Sequence, residues 1–116
     1  MRILSSPSLS ALDVLSVSMQ VTANNIANMN TNGFKAMNVQ LETSPFNDGV
    51  RLAGISVDKS PGSLVNFTGQ GVVETSNTNL AREFTNMIST EMAWKANIAS
   101  IVTADQMLGS LLDSVA

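Results

Sequence analysis

The sequence predicts a mainly α fold. N- and C-terminal helices pair as an antiparallel coiled coil or hairpin, with a short, irregular, β-containing segment between them. Three observations carry this. Leu12, Leu15, Met19, Thr22, Ile26 and Met29 follow the three-four spacing of one helical seam. Leu80, Met87, Trp94, Ile101, Leu108 and Val115 recur every seven residues. Between the two runs, Gly33 to Gly71 holds six of the seven glycines and two of the three prolines, the punctuation of turns rather than helices.

The first helix is expected over residues 7–30. Ser6-Pro7 is a start signal, because a proline in the first turn gives up only a donor that has no partner there. Ser10 with Asp13 offers a capping box as a second start. Asn30-Thr31-Asn32-Gly33 ends the run, since Asn and Gly tolerate the left-handed conformation that stops a helix.

Residues 34–75 are expected to form two or three short strands joined by turns. Val50-Arg51-Leu52 and Ile55-Ser56-Val57-Asp58 alternate with period two. Ser44-Pro45, Asn47-Asp48-Gly49, Ser60-Pro61-Gly62 and Gly69-Gln70-Gly71 mark the turns. So few strands are marginal alone and need a helix to lie against.

The second helix is expected over residues 77–115, capped by Asn77 or Ser76 and uninterrupted by proline. A second line four residues beyond the heptad frame holds Phe84, Ile98 and Leu112, but also Glu91 and Asp105. At ~1.5 Å per residue the helices measure about 36 and 58 Å, which leaves about 20 Å of the longer seam without a mate. An exposed apolar stripe of that kind marks a contact with another molecule. The whole, residues 1–116, is short enough for a single domain.

Composition removes several functions. The chain of 116 residues has neither Cys nor His, which excludes thiol catalysis, disulfides, the usual zinc sets and His-based triads. Its net charge is −3 with scattered Lys and Arg, so no nucleic-acid stripe exists. Only 13% of residues are charged, and Ser, Thr and Asn fill the difference, a surface suited to packing against copies. No apolar run approaches the ~20 residues of a membrane span. Met1-Arg2-Ile3-Leu4 meets Ser5, Ser6 and Pro7 before a signal-type apolar region forms, so any export is expected without a cleaved peptide. Glu91 and Asp105 stand about 21 Å apart on a helix, too far for paired acid–base work. Gly69-Gln70-Gly71 lacks the Lys-Ser/Thr of a phosphate loop and reads as a turn before a strand. Asn66-Phe67-Thr68 matches a glycosylation sequon, which matters only in a glycosylating compartment. No cofactor is implied and catalysis is not expected.

The methionines at positions 19, 29 and 87 read as core filler, and Trp94 as either core or interface anchor. The cluster of Asn24, Asn25, Asn28, Asn30 and Asn32 calls for its own account, because Asn is a poor interior helix former. Asn24 and Asn28 share a face, and buried, satisfied amides would fix a packing register.

Val21-Thr22-Ala23-Asn24-Asn25-Ile26-Ala27-Asn28 with Asn30-Thr31-Asn32-Gly33-Phe34-Lys35 resembles the N-terminal signature of the bacterial flagellar rod and hook proteins. Asn77-Thr78-Asn79-Leu80, Glu83, Met87-Ile88, Ala96-Asn97 and Thr103-Ala104-Asp105-Gln106-Met107-Leu108-Gly109 resemble that family's C-terminal helix. The two blocks cover about 70 residues. Only about 35 to 40 residues intervene, so the chain resembles a short proximal-rod protein, although Trp94 stands where the family usually has Tyr. The resemblance implies an axial structural subunit in the periplasmic rod of the basal body. Its terminal helices would pair as a coiled coil and pack helically with copies and other rod proteins around a channel, after export by the flagellar type III apparatus. The residues expected to carry assembly are Leu12, Met19, Asn24, Asn25, Ile26, Asn28, Gly33 and Phe34 at the front. At the back they are Leu80, Met87, Trp94, Asn97, Ile101, Leu108 and Leu112. The other reading is a small helical adaptor that takes a partner helix in its groove.

Overall fold

The structure, a computed structural model, describes residues 2–45 and 49–115. Two helices, α1 (Arg2–Ala27) and α2 (Leu80–Val115), bracket four strands in the chain. These are β1 (Met37–Thr43), β2 (Val50–Val57), β3 (Leu64–Phe67) and β4 (Gly71–Glu74). β1 pairs antiparallel with β2 and β3 with β4, giving two separate ribbons.

α1 starts earlier and ends sooner than the 7–30 expected. It passes through Pro7, losing only the one bond that a residue-7 amide would give to the Ile3 carbonyl. Ser10 makes no capping box with Asp13. Its hydroxyl donates to the Pro7 carbonyl (2.8 Å) and accepts from the Val50 amide (3.3 Å), so it ties helix to strand. The other end stops at Ala27 because amide side chains compete with the backbone. Asn28 Nδ2 donates to the Asn24 carbonyl (2.9 Å), Met29 N–H turns to Ile26, and Gly33 takes a φ of 75°.

The middle segment has four strands, not two or three. Val50–Leu52 and Ile55–Val57 are one strand. Gln40 faces Gly54 while Leu41 faces Leu52, so Ala53 is an extra residue absorbed as a bulge. The β1–β2 ribbon runs along α1 from Asn25 to Ser10. Of the turn expected at 47–49, Asn47 and Asp48 lie outside the described residues. Gly69-Gln70-Gly71 is the turn of the β3–β4 ribbon, with both glycines at positive φ.

α2 begins at Leu80, and its cap is Asn79 rather than Asn77 or Ser76. Asn79 Oδ1 accepts from the Arg82 amide (3.2 Å). The helices lie antiparallel: Asn25 meets Glu83, whereas Met19 and Ala23 share a cleft with Glu91 and Trp94. α1 is therefore the middle layer, with α2 on one side and the β1–β2 ribbon on the other. Val14 and Val21, buried with Ala36, are the apolar core among the described residues.

The seam of α2 differs from the expected one. Its covered positions are Ala93 and a row of Glu83, Met87, Thr90, Trp94, Asn97, Ile101, Ala104 and Leu108, which alternates steps of four and three. The second line thus lies three residues beyond the heptad frame, and its members are polar or small. Phe84, Ile98 and Leu112, four residues beyond, are exposed. Met29, expected as the last member of the first helix's seam, lies in the turn beyond α1 and is exposed, adding nothing to the core.

The molecule is long, 79 × 25 × 14 Å, with a radius of gyration of 20.2 Å. A compact chain of this length would have about 13 Å.

Candidate assembly interface

At the centre stands Asn25, 1% exposed, beside Glu83, 2% exposed. Asn25 Nδ2 donates to the Met37 carbonyl (2.8 Å) and to Glu83 Oε1 (3.2 Å), while Oδ1 accepts from the Met37 amide (2.9 Å). The side chain imitates a neighbouring strand at the first residue of β1 and spends its remaining proton on α2. One amide thus joins three elements. Asn24 is exposed and Asn28 half-buried, and both serve the end of α1, with Thr31 Oγ1 donating to Asn28 Oδ1 (3.1 Å).

A second knot joins the two ends of the middle segment. Asn77 Oδ1 accepts from the Ala36 amide (2.7 Å), and its Nδ2 donates to the carbonyls of Asp58 and Ser60 (both 2.8 Å). The Asn77 amide reaches the Phe34 carbonyl (3.2 Å) and the Gly33 amide the Glu74 carbonyl (2.9 Å). Lys35 pairs with the Glu74 carboxylate, which also accepts from the Gly62 amide (2.8 Å). The Lys35 ammonium, and then the Gly62 amide, hold the Glu74 carboxyl below its ordinary value. Asp58 is lowered likewise by the hydroxyl and amide of Ser60. A Cβ on Gly62 would stand 2.0 Å from the Thr75 carbonyl oxygen, so only glycine fits.

The residues expected at the interface divide by place. Leu12, Met19 and Ile26 on α1, and Met87, Trp94, Asn97, Ile101 and Leu108 on α2, are half-buried. Asn97 turns its amide back to the Ala93 carbonyl (2.8 Å). Gly33 and Phe34 belong to the knot. Leu80 and Leu112 are exposed and lie outside the helix pair. Among the described residues of α2, two apolar faces have no cover: a stripe through Phe84, Ile88, Ile98 and Val102, and the last turns, Met107 to Val115. Spacing alone missed Asn77, Glu74 and the seam role of Glu83, because a polar residue in an apolar frame looks like an interruption.

The sequence comparisons meet these same regions. Residues 8–35 match the family described as flagella basal body rod protein, and residues 70–114 match the C-terminal part of the flagellar basal body rod FlgEFG proteins. The chain belongs to the flagellar basal-body rod protein family. Among the rod family's curated members, a flagellar basal-body rod protein FlgG of Buchnera aphidicola subsp. Schizaphis graminum (strain Sg) is 50% identical over 62 residues. That match covers 51% of this chain and 23% of the relative. FlgG of Borreliella burgdorferi is 33% identical over 81 residues, 70% of this chain and 29% of the relative. The flagellar hook protein FlgE of the same organism is 45% identical over 42 residues, 36% and 10% of the two chains. This chain therefore matches about a quarter of the length of its rod-family relatives. Asn25, Gly33 and Lys35 lie in the first matched block; Glu74, Asn77 and Glu83 lie in the second.

Proposed function

We propose that the chain is a structural subunit of the flagellar basal-body rod, a part of the tube that transmits torque. It polymerises helically, its terminal helices paired as a coiled coil and their uncovered faces completed by copies of itself and by other rod proteins. It reaches the periplasmic rod through the flagellar type III apparatus. It binds no cofactor or nucleic acid, inserts in no membrane and catalyses nothing.

One observation carries this reading. The surface is 7845 Å², against about 6,100 Å² for a compact monomer of this mass. The excess of about 1,800 Å² equals roughly two ordinary interfaces at ~800 Å² per partner. Two contacts per subunit are the least that an open polymer requires. Ten of the twenty exposed large apolar side chains among the described residues lie on α2, and each Leu, Ile or Met fully buried there contributes ~1.5–3 kcal/mol.

Sedimentation over a concentration series tests it. A rod subunit forms progressively larger species, or does so when its rod neighbours are added; an adaptor stays one small oligomer throughout. In cells, Trp94→Ala should impair rod formation and motility more than it lowers soluble yield. Normal motility in that variant would remove Trp94 as an anchor.

A further inference from the structure

Two uncovered apolar faces stand at opposite ends of the molecule. At one end is the β3–β4 ribbon, held at its feet, where the Gly33 amide donates to the Glu74 carbonyl (2.9 Å) and Lys35 pairs with the Glu74 carboxylate. Among the described residues it touches no other helix or strand. Leu64 and Val72 share one of its faces and are 71% and 64% exposed. A lone two-stranded ribbon is marginal in water, so one this apolar calls for a covering surface.

At the other end α2 outruns its partner. Counting back from the Asn25–Glu83 contact sets the first residue of α1 level with about residue 106 of α2. Beyond it Met107, Leu111 and Val115 form a ridge with one-turn spacing, 61% exposed or more. The long axis places the two faces apart. Of 79 Å, α2 accounts for about 54 Å. The rest lies past its first turn, where the ribbon stands.

The faces match in size and charge. A four-residue strand is about 13 Å long and nine helical residues about 14 Å. The Leu64–Val72 face also holds Glu74, whose carboxylate is taken up by Lys35 and the Gly62 amide. The one charge within residues 107–115, Asp113, stands about 200° round the helix from Leu111, so bringing the faces together strands no ion. The ridge also adjoins Leu108, the last half-buried position of the helix seam.

We propose that the β3–β4 ribbon of one subunit lies on the overhanging end of α2 in a second copy of this chain. The inference deepens the rod reading and rests on it. Because the two patches differ, every copy added leaves one of each free, and the contact propagates without closing. It is smaller than the ~800 Å² per partner of a stable complex, so it holds only alongside lateral contacts.

The chain has no cysteine of its own, so single replacements report contacts without ambiguity. Val72→Cys and Leu111→Cys subunits are mixed in equal amounts at a concentration where the unaltered chain forms large species, and oxidised. The mixed 72–111 dimer should dominate the two like-with-like dimers, and Leu64→Lys added to the first variant should abolish it. All three positions are exposed, and circular dichroism checks that the fold is kept. Large species without the mixed dimer overturn this contact and leave the rod reading standing. A fixed small oligomer without the mixed dimer overturns both.

Discussion

Asn25 is the residue whose loss should be felt most. Asn25→Ala strands the amide and carbonyl of the half-buried Met37 and one oxygen of the buried Glu83. An unsatisfied buried group costs ~1–3 kcal/mol, so chemical denaturation should show a loss of about 2–4 kcal/mol. Asn24→Ala, exposed one position earlier, should cost less than about 1 kcal/mol. The asparagine cluster announced a packing role in the sequence, but which member was buried was not legible. Five amides look alike in one dimension, and only the arrival of β1 selects the one that faces both Met37 and Glu83. Acid should loosen the second knot first. The folded Glu74 carboxyl lies below its ordinary value. Its contribution is complete above about pH 4.3 and is lost as pH falls through the folded value. Protection of the Gly62 amide, measured against its intrinsic exchange rate at each pH, should therefore fall on acidification, and Glu74→Gln should remove that change in protection.

Between elements, the helix pair is a seam of apolar heptad positions alternating with polar or small ones. The apolar half was legible, because Met87, Trp94, Ile101 and Leu108 recur at a fixed interval. The other half was misread, since Phe84, Ile98 and Leu112 are more apolar than Glu83, Thr90, Asn97 and Ala104. Hydrophobicity alone assigns the larger side chains to the core. Here they form a stripe of their own, about a third of a turn away, and the seam accepts Glu83 because Asn25 of α1 donates to it. Truncation separates the two. Met87→Ala should lower thermal stability by ~1–3 kcal/mol, whereas Phe84→Ala should leave the dilute chain's stability nearly unchanged and weaken only its self-association. Equal losses from both would reverse the assignment. The four strands were only half legible: turn residues marked their ends, but a bulge made one strand look like two.

For the molecule as a whole, the length difference between the helices was already visible in the sequence, at about 20 Å. The structure reduces it to the last turns of α2, because α1 starts before Pro7. The ribbon at the far end was not foreseen as a separate body. Its residues read only as a strand beside a turn, and nothing local says that no helix will lie over it. X-ray scattering from a dilute solution should give a radius of gyration near 20.2 Å rather than the ~13 Å of a globule. A smaller value would mean that the ribbon or the end of α2 folds back.

The knot of Asn77, Lys35 and Glu74 works like the ring of a binder. It closes the chain on itself between residues 33–36 and 74–77, mostly within the two spans shared with the rod family. Whatever hangs from the ring is mechanically separate from how the helices grip each other. Relatives more than twice as long need alter nothing in that grip, because added leaves leave the spine unchanged.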